Sequence, residues 1–342
     1  MKTKIISFLR VFVSIALIFI LLYIMRDKYG EILDVLKGTD PKLFSIAVGM
    51  FIAAISLGSY RFKLIIEAQG DMSIKFKEAF SLTFIGYFFN NFLPTSVGGD
   101  VVKAYYLSRK FSRKMESYTS VFVDRVIGLF TMIFMASLAL LFVQNHIIDN
   151  TVRSMIYAIT AVSVLAIIFM TNKKFAKNFS VLLRLFKPIE GKLRKAYDSV
   201  HKYKYHMKLI WQSLVISIIS QILFFASIGI LAFAIGSSLP AMDILLRMPI
   251  ISAMSLLPSI NGLGLREGST VVLFGPIIGK ENSFAVSVLW LLILLIMSLV
   301  GGIIYAFSPQ FKFRLQEISR QNQGEHYAQN TGHTRPKSKP SR

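Results

Sequence analysis

Long apolar blocks separated by short charged stretches dominate this chain. Windows of 18–28 residues with few charges fall at 8–25, 43–60, 119–143, 153–171, 209–236 and 284–307. Each is long enough, at roughly 20 residues, to cross the hydrocarbon core of a bilayer as a helix. The first window has no small-residue cleavage site after it and ends at Tyr23, Met25 and Arg26, so it reads as an anchored helix rather than a signal peptide. Two further apolar stretches, about 79–107 and 241–278, are interrupted. The first contains Pro94, Gly98 and Gly99, and the second Pro258, Asn261, Gly262 and Gly264. Proline and closely spaced glycines in mid-block break a helix. Each stretch therefore reads as a hairpin of two short helices; the second is either re-entrant or two short spans.

The expected fold is all-α and polytopic, with about six full spans and two broken or re-entrant hairpins. The order span, span, broken hairpin, span occurs twice, over halves of about 5–145 and 150–310 of a single transmembrane domain, 1–310. With six crossings the first half starts inside and ends outside, and the second does the reverse. Inverted repeats built on discontinuous helices are the architecture of carriers that alternate access. Locally, Pro94 precedes Gly98 by four residues and Pro258 precedes Gly262 by four, and each break is followed by charges: Asp100 with Lys103, and Arg266 with Glu267.

Charge orients this arrangement. The chain carries 39 Lys and Arg against 18 Asp and Glu, a formal excess of +21. The stretches 1–10, 61–78, 100–118, 172–208 and 308–342 hold all of it, with +9 in 172–208 alone. The alternate loops, 26–42, 144–153 and 239–283, are each neutral. Basic residues confined to one face mark the cytoplasmic side, which puts both termini inside at a cell or inner membrane. The same distribution argues against nucleic acid as the partner of the basic segments and for anionic lipid head groups. Residues 172–208 read as a basic cytoplasmic linker, amphipathic at the membrane surface. Residues 318–342, polar and without apolar periodicity, read as a disordered cytoplasmic tail.

The chemistry on offer is narrow. There is no cysteine, and the histidines lie outside the apolar blocks, so no metal site or metal cofactor is expected. No P-loop or Ser/His/Asp set is present, and the Asn261–Gly264 run lacks dinucleotide-fingerprint spacing. What stands out is the ionisable residues at membrane depth: Asp100, Lys103, Asp124, Arg125, Arg266 and Glu267, with Asp243 and Arg247 nearer the outer face. Charges there normally pair or line a wet cavity. Asp124-Arg125 reads either as a structural pair binding the Asp100/Lys103 hairpin or as part of a path. Arg266 follows a Gly-x-Gly break whose freed amides favour an anion, and its guanidinium suits a phosphate. Asn90 and Asn91 precede the first break and read either as partners for the backbone groups it loosens or as lining of the same cavity.

At these motifs the chain resembles the flippase-like transmembrane region of lysylphosphatidylglycerol synthases. The resemblance rests on Leu93-Pro94 with Val97-Gly98-Gly99-Asp100-Val101-Val102-Lys103-Ala104-Tyr105-Tyr106-Leu107, on Asp124-Arg125-Val126-Ile127-Gly128, and on Asn261-Gly262-Leu263-Gly264-Leu265-Arg266-Glu267-Gly268. The family often has arginine where this chain has Lys103. In full-length synthases the membrane part moves aminoacylated phosphatidylglycerol between leaflets, while a separate domain attaches the amino acid. The resemblance thus implies the translocating part, without the lysyltransferase domain and without a cofactor. The expected function is translocation of an anionic or aminoacylated phospholipid or an isoprenoid-linked lipid. The rival readings are a membrane component of an aminoacyl-lipid or lipid-linked glycosyl transferase, and a scaffold for a partner lipid-modifying enzyme. An oligomer is compatible with all three.

Overall fold

The computed structural model describes residues 30, 34–35, 37–70, 72–91, 98–141, 150–171, 199–255 and 262–308. The expected 8–25 span, residues 172–198 of the basic linker, the 318–342 tail, Pro94, Pro258 and Asn261 lie outside the described residues. The principal helices are α1 (Pro41–Glu67), α2 (Phe76–Asn90), α3 (Gly98–Phe111), α4 (Lys114–Leu140), α5 (Asn150–Thr171), α6 (Met207–Ala234), α7 (Ala241–Ser255), α8 (Leu265–Ile278) and α9 (Lys280–Phe307). The described residues contain no strand. Four helices, Pro41–Glu67, Lys114–Leu140, Ser199–Ala234 and Lys280–Phe307, are long and apolar enough to cross a membrane.

Both interrupted stretches are indeed helix pairs, α2–α3 and α7–α8. One boundary needs correction. The 43–60 window was expected to give way to a loop at Arg61, yet α1 continues to Glu67. The first charge ends a hydropathy window but not a helix, because Arg and Lys are good helix formers. Start and stop chemistry is local. Asp40 caps α1, its carboxylate accepting from the Lys42 and Leu43 amides at 2.8 and 3.2 Å, with Pro41 in the first turn. Gly236, at φ +76°, ends α6 in a left-handed turn, with the Ser237 amide returning to the Ala232 carbonyl.

The helices form two matching sets. Helices α1, α2, α3 and α4 begin at 41, 76, 98 and 114, and α6, α7, α8 and α9 at 207, 241, 265 and 280, so each start recurs 165–167 residues later. Their lengths are 27, 15, 14 and 27 residues against 28, 15, 14 and 28. Packing repeats as well: α2 lies on α9 and α7 on α4, while α3 lies on α4 and α8 on α9. The equivalent helices α1 and α6 pack on each other along their length. They run antiparallel, since the Asp40 amide meets the Ala234 carbonyl at one end, Ser220 meets the Ala54 carbonyl midway, and Arg61 meets Ser217 beyond it. The operation relating the sets therefore reverses helix direction.

The main apolar core joins both sets, with Phe51, Phe84, Phe225, Met248, Phe274 and Leu289 among its buried members. Seams are made close by small residues. A Cβ on Gly301 would run into the Phe84 carbonyl, and one on Gly99 into that of Gly86. Close approach of this kind is how helices associate where lipid removes the hydrophobic drive. Outward faces carry apolar side chains such as Ile46, Phe122, Phe134, Ile219 and Ile303, as a lipid-facing surface requires.

Candidate functional site

The helix ends flanking both breaks, at Asn90, Asp100, Ser255 and Arg266, line one cavity of about 330 Å³ drawn from both sets of helices. Its charged lining is Arg61, Asp100, Lys103, Asp124, Arg125 and Arg266. Five of the six ionisable residues singled out in the sequence thus meet there. Glu267 sits one position behind, and Asp243 and Arg247 pair with each other 3.1 Å apart, off the cavity.

The break geometry positions these groups. Asp100 and Glu267 are each the third residue of their helix, α3 and α8, where the positive end of the helix dipole favours a carboxylate. Across the first break, the Asn90 carboxamide oxygen accepts the Gly99 amide at 2.7 Å, tying the end of α2 to the start of α3. Asn90 also lines the cavity, so it serves both of the uses open to it. Asn91 donates to the Ser298 hydroxyl of α9 at 2.6 Å. At the second break, Gly262 and Gly264 take φ of +75° and +82°, values that a side chain makes costly. The Gly264 amide then donates to the Glu267 carboxylate at 2.6 Å, closing the first turn of α8.

Ion pairing differs from the sequence expectation. Arg125 does reach the hairpin, donating to Asp100, and Lys103 stands 3.6 Å from the same carboxylate. Asp124 does not: it turns to the other side of α4 and accepts from Arg61 of α1 at 2.8 Å. Neighbouring residues on a helix point about 100° apart, so one Asp-Arg dipeptide serves two different helices. Arg61 is the residue that sequence reasoning missed. The signal was available: Ala54, Gly58 and Arg61 recur at helical spacing, and all three line the cavity. Arg61 also donates to Ser217 of α6 at 2.8 Å, reaching across to the other set of helices.

Arg266 is 2% exposed and pairs with Glu267 at 2.6 Å. Its guanidinium lies over the Trp290 ring of α9, 5.2 Å from the centroid. Its Nε and the Trp290 Nε1 are the buried side-chain polar atoms that have no hydrogen-bond partner among the described residues. Buried N–H groups left without a bond are costly, so these two mark a locally strained packing beside the cavity. Among the described residues, no group of His, Cys, Asp and Glu is arranged to hold a metal. The site can hold an anion and shield it from hydrocarbon. It offers cationic donors at both breaks, and its carboxylates are already engaged.

Comparison with known proteins points to one kind of membrane protein. A UPF0104 membrane protein of Methanothermobacter thermautotrophicus is 28% identical over 315 residues, covering 84% of this chain and 88% of the relative. A second from the same organism is 22% identical over 269 residues, covering 72% and 78%. A UPF0104 membrane protein of Methanocaldococcus jannaschii is 34% identical over 115 residues, about a third of each chain. The profile of the lysylphosphatidylglycerol synthase TM region matches residues 7–302, a stretch that includes the breaks and every cavity charge. With several apolar helices and a profile match over most of its length, this chain is a multi-pass membrane protein belonging to the lysylphosphatidylglycerol synthase transmembrane-region family.

Proposed function

We propose that this protein is a lipid translocase that carries a phosphate-bearing head group between leaflets while the acyl or prenyl chains stay in the bilayer. In this reading six helices span the membrane, two hairpins re-enter from opposite faces, and both termini are cytoplasmic. One observation carries the proposal: the charged starts of the two equivalent broken helices, Asp100 of α3 and Arg266 of α8, line the same cavity. A charge in hydrocarbon costs several kcal/mol even by the gentler scales, roughly 2.5–3.5 kcal/mol at the bilayer centre. A cavity that supplies donors at that depth removes much of this barrier. Antiparallel equivalent halves offer the two-sided exposure, because rocking one against the other exchanges the roles of the two seams.

Within the cavity the ion pairs stay inside each set of helices: Arg61–Asp124, Arg125–Asp100 and Arg266–Glu267. Between the sets lie the apolar core and hydrogen bonds to neutral groups, such as Thr131–Ser217 at 2.7 Å, Ser220 to the Ala54 carbonyl at 2.9 Å and Arg61 to Ser217. Each half can then move as a unit without breaking a buried ion pair. Transport would run downhill or be coupled to an ion, and a partner enzyme would supply or consume the lipid. Leaflet exchange of labelled phospholipid in liposomes tests this. Wild type should accelerate exchange, and Arg266→Ala and Asp100→Ala should each slow it about tenfold or more while keeping the wild-type helical content. Absence of acceleration by the wild type, or unimpaired exchange in both variants, would refute it.

A further inference from the structure

One face of α4 leads from the outer surface of the molecule into the cavity. Tyr118, Phe122, Arg125 and Leu129 follow one another at steps of four, three and four residues, so they lie in one row along the helix. Tyr118 and Phe122 are exposed, while Arg125 and Leu129 line the cavity. Arg125 stands at the change-over. Its side chain is 42% exposed, against 2–13% for Arg61, Asp100, Lys103, Asp124 and Arg266. Val101, next to the Asp100 that Arg125 binds, is exposed as well. The equivalent row on α9, 166 residues on, is Phe284, Val288, Leu291 and Leu295, and there the face is sealed. Those four pack with Val35 and Leu263 in one apolar cluster. The repeat has closed one side and left the other open, with a guanidinium in the opening. That guanidinium has donors to spare. Its Nε donates to Asp100, and its two terminal nitrogens have no hydrogen-bond partner among the described residues. Asp100 is shared with Lys103, so two cations face one carboxylate. Arg125 is the twelfth of the 27 residues of α4, about 16 Å from its start. A half-exposed cation at that depth, among apolar side chains, calls for a counter-charge from outside.

We infer that this face of α4 is a lateral mouth of the cavity, where the phosphate of an anionic membrane lipid docks on the terminal nitrogens of Arg125 while its chains lie against Val101, Tyr118 and Phe122. The inference rests on the reading of this cavity as the head-group site, and adds where the lipid enters and which residue meets it. The chemistry fits an amphiphile rather than a soluble anion. The guanidinium fork matches two oxygens of one phosphate. The apolar surround accepts hydrocarbon and disfavours a hydrated ion. Tyr118 is the fifth residue of α4, at the depth where tyrosine meets the head-group region in the six-span reading. The mouth therefore faces the cytoplasmic leaflet. Behind Arg125, Lys103 and Arg61 continue the cationic lining inward.

The cysteine-free chain lets a single probe report on the mouth. Phe122→Cys carries a bimane label. Val215→Cys on α6 is the control, since Val215 is also exposed and each is the ninth residue of its helix. Each labelled protein, in phosphatidylcholine nanodiscs, receives the same small fraction of chain-brominated phosphatidylglycerol or chain-brominated phosphatidylcholine. At Phe122 the apparent affinity read from quenching should be about fivefold higher for phosphatidylglycerol, the attraction of one basic residue for an anionic lipid. At Val215 the two lipids should differ by less than about twofold. Arg125→Gln should abolish the preference. Arg125→Lys, which keeps a cation for Asp100 but lacks the fork, should at least halve it at unchanged helical content. Soluble glycerophosphoglycerol should not displace the brominated lipid. No preference at Phe122, an equal preference at Val215, or a preference untouched in either Arg125 variant overturns the inference. Displacement by the soluble phosphodiester overturns its lipid source. Leaflet exchange in liposomes separates this from the translocase reading: exchange without the preference removes the mouth alone, and the preference without exchange removes translocation alone.

Discussion

At the residue scale, the centre of the site is a set of buried charges whose partners matter more than their number. Asp124 is 7% exposed and depends on Arg61. Removing one member of such a pair leaves an uncompensated buried charge, so Arg61→Ala should destabilise the protein by about 3–5 kcal/mol. The double variant Arg61→Ala/Asp124→Ala should be less damaged than the two single losses added together, as read by denaturant unfolding in detergent. Additive losses would mean that the pair is not coupled. Glycines divide just as sharply. Gly99→Ala drives a methyl into the Gly86 carbonyl and should cost about 1–3 kcal/mol or more. Gly268, in the third family motif, has open space where its Cβ would stand. As a helical glycine it should gain about 0.5–1 kcal/mol as alanine. Thermal midpoints in one detergent compare the two directly. The division of both interrupted stretches into helix pairs and five of the cavity charges were legible in the sequence, because proline, paired glycines and isolated charges are conspicuous in apolar blocks. Arg61 was passed over, since a hydropathy window stops where the first charge appears, although its helical spacing from Ala54 and Gly58 carried the signal. The choice of Arg61 rather than the Asp100 hairpin for Asp124 depends on helix azimuth, which no one-dimensional pattern contains.

At the scale of the elements, the repeat is visible in helix starts and lengths, but its two equivalent seams are not packed alike. Between α2 and α9 the contact is close: Gly301 abuts the Phe84 backbone, Gly302 faces the Phe88 ring, and Asn91 binds Ser298. Its counterpart between α7 and α4 is an apolar patch of Ala136, Ala139, Leu246 and Ile250. The same architecture thus holds one seam tight and the other looser. Rocking that tightened the second and loosened the first would exchange the face on which the cavity opens. The absence of cysteine makes this testable without further engineering. A disulfide between Asn91→Cys and Ser298→Cys should hold the α2–α9 seam shut and stop lipid exchange, with activity returning on reduction. Exchange at the wild-type rate in the cross-linked protein would show that this seam does not move. The sequence announced both hairpins and their matching order. It was silent on the unequal seams, which arise from side chains of helices far apart in the chain.

For the whole molecule, the account combines two asymmetries. Basic residues concentrate in alternate loops, which supports a cytoplasmic location for the 172–208 linker and for both termini. The helix sets run in opposite directions, and the charges of both breaks converge in one interior cavity. Together these support the proposed carrier, whose site would face each side of the membrane in turn. Ser252 of α7 lines the cavity and offers a position for a single cysteine in an otherwise cysteine-free chain. The most direct measurement is modification of Ser252→Cys by a membrane-impermeant thiol reagent applied to one side of sealed vesicles at a time. The account predicts labelling from both sides, at rates that change in opposite senses when the α2–α9 seam is cross-linked. Labelling from one side alone, unaffected by the cross-link, would contradict it.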